Sequence, residues 1–215
     1  MMTVKEFQVG MVCTNCFLAV NSDTKEALII DPGDQAQMIA DYADQNQLHP
    51  VAVLLTHGHF DHVMAMEELK AGWGVPIYAC EKEAEILADP GKNLTNQFLG
   101  GGSRLKADVL LKNQETVRLA GYEFKLLHTP GHTGGSCCYY VESEKILFSG
   151  DTLFQESYGR IDFPTGSGRQ MADSVVNILF ALPDDTAVYP GHMGDTTIGA
   201  EKLYNPLASY IGRLG

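Results

Sequence analysis

The seven residues THGHFDH, Thr56 to His62, follow directly on the apolar run Val51 to Leu55, and no other stretch constrains the fold as much. A run that is apolar at every position reads as a strand buried on both faces, so its fold must cover both sides of a sheet yet leave the strand's end accessible. His57 and His59 are two positions apart, so on extended chain their side chains share a side and can reach one ion. Asp61 and His62 come where the chain should turn into a helix, placed to serve a neighbouring ion. With only 7 histidines in 215 residues, coincidence is a poor explanation for this cluster.

The rest of the chain supplies a scaffold of the required kind. Short apolar runs at Phe7 to Val12, Cys16 to Val20 and Ala27 to Ile30 suit an antiparallel meander, and DPGD at Asp31 to Asp34 is a turn and helix-start signal before a helix over Gln35 to Gln47. Helices are expected over Val63 to Ala71 and Glu81 to Ala88, with a strand at Ile77 to Ala79 between them. Asp89 to Gln114, with Pro90, Gly91 and the triplet Gly100 to Gly102, reads as a long connection, either a lid over the site or an exposed insertion. The second half resembles the first in its pattern, with strands at Glu115 to Leu119, Glu123 to His128, Ser136 to Val141 and Lys145 to Ser149, a helix over Arg169 to Leu182, and a strand at Ala187 to Tyr189. Two packed sheets with helices outside, a four-layer αββα sandwich in a single domain spanning 1–215, account for two similar halves without sequence repetition.

Composition narrows the partners. The formal charge of -12 argues against the basic surface that nucleic acid or anionic lipid attracts. The start, MMTVKEFQVGMV, lacks the pattern of a secretory leader, and no apolar stretch approaches the ~20 residues of a membrane span, so a cytoplasmic protein is expected. Five cysteines fit a reducing compartment. Cys13 and Cys16 form a lone CxxC in VCTNCFLAV, which reads as core strand rather than zinc knuckle, and Cys137 and Cys138 also read as strand residues.

Three further residues share the setting of the histidine run: His132 in TPGHTGG, Asp151 in FSGDTLF and His192 in YPGHMGD, each just after a strand or in a Gly/Pro turn. His49 and His128 lack that setting. Seven nitrogen and oxygen ligands suffice for two divalent ions if one carboxylate bridges, with zinc first and iron or manganese as alternatives. Such a pair acidifies a shared water and polarises a carbonyl, the chemistry of acyl hydrolysis. Ser136 and Ser149 lie near these motifs without the GxSxG setting of a nucleophile.

THGHFDH, PGHTGGS, SGDTLF and PGHMGDTTIG resemble the successive motifs of the metallo-β-lactamase superfamily, and specifically its glyoxalase II-like branch. The resemblance implies one ion held by His57, His59 and His132, a second by Asp61, His62 and His192, and Asp151 bridging them. It assigns Asp31 the orienting of a ligand histidine from behind, where sequence alone allows a helix cap. Asp61 would also aim the attacking water. In LFQESYGRIDF, Gly159 and Arg160 match the pair that contacts acyl-glutathione, with Tyr158 in the pocket wall; an ion pair between Arg160 and Asp162 is the alternative. Only 23 residues follow His192, too few for the C-terminal domain that grips glutathione in full-length glyoxalase II, so the chain resembles the short bacterial members. Gly134 replaces a common proline, and FDHVMAM lacks a glycine pair frequent there. The implied reaction is hydrolysis of S-D-lactoylglutathione or a related small acyl thioester. The main rival is a persulfide dioxygenase, which shares GRxDF and uses one iron at the site formed here by His57, His132 and Asp151. A third reading, an idle binding domain, is disfavoured by the full set of seven ligands. Oligomeric state has no signature.

Overall fold

Side-chain alternation along the strands sorts the chain into layers in the computed structural model, which describes residues 1–213. In β2 (Thr14–Asn21), Phe17 and Ala19 face one way and Leu18 and Val20 the other, and all four are buried. Such a strand needs a layer on each side. One sheet runs β1 (Met2–Val9), β2, β3 (Glu26–Ile30), β4 (His49–Leu54), β5 (Ile77–Cys80) and β6 (Val109–Leu111) in spatial order. The other contains β7 (Thr116–Leu119), β8 (Tyr122–His128), β9 (Cys137–Val141), β10 (Ile146–Gly150), β13 (Ala187–Pro190) and β14 (Thr196–Thr197), in the order β14-β13-β10-β9-β8-β7. A two-stranded ribbon, β11 (Leu153–Phe154) and β12 (Ser157–Tyr158), stands apart.

Phe17, Leu28 and Leu54 of the first sheet meet Phe124, Tyr139 and Phe148 of the second in the central core. On the outer face of the first sheet, Leu18, Ile29 and Val53 pack against Ile39 of α1 (Ala36–Gln45) and Met66 and Leu69 of α3 (Met66–Trp73). On that of the second, Leu147 and Val188 pack against Met171 of α6 (Gly168–Asp173), Val175, Leu179 and Ile198 of α7 (Ile198–Tyr204). The layers are therefore helix, sheet, sheet, helix, as the sequence pattern predicts. Short helices α2 (Phe60–Val63), α4 (Ala84–Ala88) and α5 (Thr95–Phe98) lie in the connections. Among the described residues no helix is long and apolar enough to cross a membrane.

Several boundaries differ from the sequence reading. The first strand ends at Val9, because Gly10 (φ 70°) and Cys13 (φ 55°) take left-handed conformations that turn the chain; Met11, Val12 and Cys13 are exposed on that turn, so Cys13 is no core-strand residue. Residues 89–114 are not an unstructured connection, since they hold α5 and the edge strand β6. Asn93 fastens them: its side-chain amide donates to the carbonyls of Leu87 and Ser103, and its oxygen accepts from Thr95. The helix expected over 169–182 is regular only through Asp173, then widens into a π turn over Ser174–Ile178 and tightens over Leu179–Ala181. Ser174 Oγ donates there to the carbonyl of Pro130, tying the helix to the His132 loop.

β3 pairs parallel with β4 and β10 parallel with β13. Parallel strands place their carboxyl ends together, the usual location of a site in open α/β sheets. Asp31, the 56–62 run, Asp151 and His192 emerge from these four ends.

Candidate metal centre

All seven predicted ligand residues converge. Donor atoms of His57, His59 and His132 lie within 4.8 Å of one another, as do those of Asp61, His62 and His192. Asp151 lies between the two groups: its Oδ2 is 3.4 Å from His132 Nε2 and 3.6 Å from His192 Nε2, and its Oδ1 is 3.4 Å from His62 Nε2. His59 Nδ1 and His132 Nε2 are 2.8 Å apart. His49 is exposed at the start of β4 and His128 contacts the Gly134 carbonyl, so neither joins the cluster.

The ring orientations are fixed from behind. His132 Nδ1 donates to the Arg160 carbonyl at 2.7 Å, which leaves Nε2 as the lone-pair nitrogen facing the cluster. His62 Nδ1 is 3.0 Å from Asp31 Oδ2, and that carboxylate also accepts from the Thr56 N–H and Oγ1 at 2.8 and 2.6 Å. Asp31 thus holds the strand end and the ring together, where the sequence offered a helix cap as the alternative. Close approach also needs glycine: a Cβ at Gly191 would collide with Asp151 Oδ1 and stand 2.7 Å from His62 Cε1.

Four buried atoms of the cluster, His57 Nε2, His59 Nε2, His62 Nε2 and Asp151 Oδ1, have no hydrogen-bond partner among the described residues. Buried polar atoms left unpaired cost free energy unless something else satisfies them. Burial and neighbouring imidazoles hold His57 well below the ordinary histidine pKa, and the same causes bring His59 to about 3, keeping these rings neutral lone-pair donors. Burial opposes the charge on Asp61, but His62 and the hydrogen bonds from His192 and Thr14 outweigh it and lower the group to about 2. Burial likewise disfavours a charged His62, yet Asp61, Asp151 and Asp31 raise it well above the usual range. Neutral rings at His57 and His59, ionised carboxylates, and a His62 whose proton sits where a cation would replace it against Asp61 and Asp151 together form a nitrogen/oxygen donor set that fits divalent cations.

Five of the seven, His59, Asp61, His132, Asp151 and His192, line a cleft of about 400 Å³. Tyr158 and Arg160 line it, but the Arg160 guanidinium is already engaged: Nε and Nη2 donate to the two oxygens of Asp162, each at 2.7 Å, and its centre lies 3.9 Å from the Phe163 ring centroid. Gly159 is buried, and a Cβ there would collide with the Asp151 carbonyl, so its smallness serves the strand end that carries Asp151.

A sequence model of the metallo-beta-lactamase superfamily matches residues 10–192. The chain belongs to that superfamily. Within it, hydroxyacylglutathione hydrolase GloC of Haemophilus influenzae is 35% identical over 207 residues, covering 95% of this chain and 97% of its own. The structure of the B3 metallo-beta-lactamase BLEG-1 superposes with a TM-score of 0.90 at 39% identity, covering 95% of this chain and 98% of the other. That of TTHA1623 in a di-iron-bound form gives 0.82 at 32% identity, covering 94% and 98%.

Three supporting residues of this superfamily site escaped the sequence reading. Thr14 Oγ1 donates to Asp61 Oδ2 at 2.8 Å. The Asn15 side-chain amide donates to the carbonyls of Pro190 and Met193, clamping the His192 turn. Two polar residues opening a fully buried strand were the available signal. Glu83 had none, because EKEAE reads as a solvated helix face. It is nevertheless fully buried, and its carboxylate accepts from Gly58 N–H at 2.7 Å, Thr133 Oγ1 at 2.8 Å and Gly135 N–H, joining the loops of His57, His59 and His132.

Proposed function

We propose that the chain is a binuclear metallohydrolase that cleaves a small acyl thioester, the class to which S-D-lactoylglutathione belongs. The observation that carries this reading is the position of Asp151 between two complete triads, each able to hold one cation. His57, His59 and His132 would hold the first, Asp61, His62 and His192 the second, and Asp151 would bridge. Zinc suits this donor set, as do iron and manganese; the di-iron form of TTHA1623 supports two ions and keeps iron open. Bound ions supply Lewis acidity, acidifying water and polarising a carbonyl oxygen.

The chain's residues do the rest. Asp61, held ionised and fixed by Thr14, accepts a hydrogen bond from the attacking water and aims it at the acyl carbon. Asp31 and the Arg160 carbonyl keep the His62 and His132 rings from rotating. A carbon–oxygen bond forms and the carbon–sulfur bond breaks; of the two protons of the attacking water, one leaves to solvent as the acid ionises to a carboxylate and the other goes to the departing sulfur, giving a thiol. Tyr158 and Arg160 would border the substrate, and with Asp162 on the Nε–Nη2 edge Arg160 would meet a substrate carboxylate through its Nη1 side. Free cysteines at all five positions and the net charge of -12 support a cytoplasmic setting and a small-molecule substrate.

The likeness to GloC supports the thioester, and the likeness to BLEG-1 makes a β-lactam amide the second substrate to assay. The deciding experiment pairs S-D-lactoylglutathione hydrolysis with an oxygen electrode and glutathione persulfide. Hydrolysis without oxygen uptake supports the proposal; oxygen uptake with one iron per chain defeats it in favour of a dioxygenase.

A further inference from the structure

The cleft is lined mostly by carbon. On the side of His59 and His132, Phe163 stands 5.5 and 6.4 Å from the two imidazoles, Phe98 meets Phe163 edge-on at 6.3 Å, and Phe60 stacks on Phe98 at 4.9 Å. On the side of His192, Phe154 lies 5.8 Å from the ring. Met193 follows directly, and Asn15 fixes its carbonyl beside the turn that carries Val12. Apolar surface therefore flanks both ends of the seven-residue cluster.

Much of it is open to solvent: Val12 is 44% exposed, Phe98 40% and Met193 55%. Leaving large apolar side chains in water around a polar floor is unfavourable, and a rim of this kind marks a surface that another apolar group covers. Met11, Met64 and Leu99 extend the rim into the adjoining hollow, again exposed.

Charge points the same way. Apart from the seven-residue cluster itself, Arg160 is the only acidic or basic side chain lining the cleft among the described residues, and two of its nitrogens already donate to Asp162. Glutathione carries carboxylates and an ammonium, and a cleft built for it would present unpaired opposite charges.

We infer that the cleft selects thioesters whose acyl and thiol arms are both uncharged and apolar, and that Phe98 sets this preference on the His59 side. The inference rests on the hydrolase reading above and narrows its substrate class. An aromatic arm would pack against the exposed side of Phe98 and the neighbouring Phe163 by the same offset and edge-on contacts these rings make with each other.

The test compares S-benzyl thiobutyrate with S-butyrylglutathione on the full chain loaded with zinc, two substrates with the same acyl group and alkyl thiols as leaving groups. The expected result is a kcat/KM at least about tenfold higher for the benzyl substrate, of the order one or two aromatic contacts supply. Phe98→Lys, which adds a cation to the rim, should erase most of that preference. Calorimetry provides a readout independent of turnover: benzyl methyl sulfide should bind more tightly than S-methylglutathione, and Phe98→Ala should weaken the sulfide about fivefold. Equal or better hydrolysis of S-butyrylglutathione, or tighter binding of S-methylglutathione, would overturn the inference and leave the thioesterase reading standing. If neither of these thioesters nor S-D-lactoylglutathione is cleaved, the thioesterase reading fails, and the calorimetric comparison alone decides what the cleft prefers.

Discussion

Glu83→Ala is the most informative single change, because the structure gives it a magnitude and a pH dependence. Its carboxylate is fully buried and accepts from two backbone N–H groups and one hydroxyl. After truncation the Thr133 hydroxyl still has Ser136 Oγ at 2.7 Å, but the Gly58 and Gly135 N–H groups lose their acceptor. Two orphaned buried donors cost about 1–3 kcal/mol each, so the loss is about 2–6 kcal/mol. An opposing effect comes from burial, which raises the Glu83 pKa from 4.5 to about 7. The folded protein therefore holds this proton more tightly than the unfolded chain does, and stability attributable to the group falls as pH rises from about 4.5 to about 7. The penalty reaches about 3 kcal/mol above that window, and alanine removes it. Glu83→Ala should thus destabilise the metal-free protein by about 2–6 kcal/mol at pH 5 and by about 3 kcal/mol less at pH 8. Urea unfolding followed by fluorescence of Trp73, the sole tryptophan, measures both values. A loss below about 0.5 kcal/mol at pH 5 would show that Glu83 does not tie the loops, and equal losses at both pH values would refute the raised carboxylate.

Three other changes test the centre itself. Asp31→Asn disturbs the hydrogen bond behind His62 and should weaken metal binding by about 10- to 100-fold in a competitive chelator titration, with little change in the far-ultraviolet spectrum. Gly191→Ala inserts a methyl group between Asp151 and His62, so bound metal per chain should fall while the protein still folds; full retention of metal would contradict the packing described. Thr14→Val removes the donor to Asp61 and should lower kcat more than it raises KM, because it acts on the group that aims water rather than on substrate contacts.

How much of this could be read from the sequence depended on the range of the interaction. Val51–Leu55 and the other apolar runs announced their layers, because burial on one or two faces is written in local periodicity. The seven clustered residues were legible for a related reason: each follows a strand end or sits in a Gly/Pro turn, where a polar side chain interrupts the apolar pattern. The β1 boundary was misplaced because Met11 and Val12 are apolar yet exposed, and only the left-handed Gly10 and Cys13 reveal the turn. β6 was missed because three residues at a sheet edge carry almost no period. Glu83 and Asn15 act across 50 and 175 residues of sequence, and no local pattern reports a partner that distant. Arg160 shows the converse limit, since a sequence names both Asp162 and a substrate carboxylate as partners, and geometry is needed to show that Asp162 takes the Nε–Nη2 edge.

Everything proposed for the reaction depends on two cations at the Asp151-centred cluster supporting hydrolysis together. Stripping the protein with chelator, adding zinc in steps, and following thioester hydrolysis against equivalents of metal per chain measures that dependence. Activity should rise to a break at two equivalents, and Asp151→Asn should abolish it. A break at one equivalent, or no hydrolysis at any loading, would contradict the two-cation mechanism.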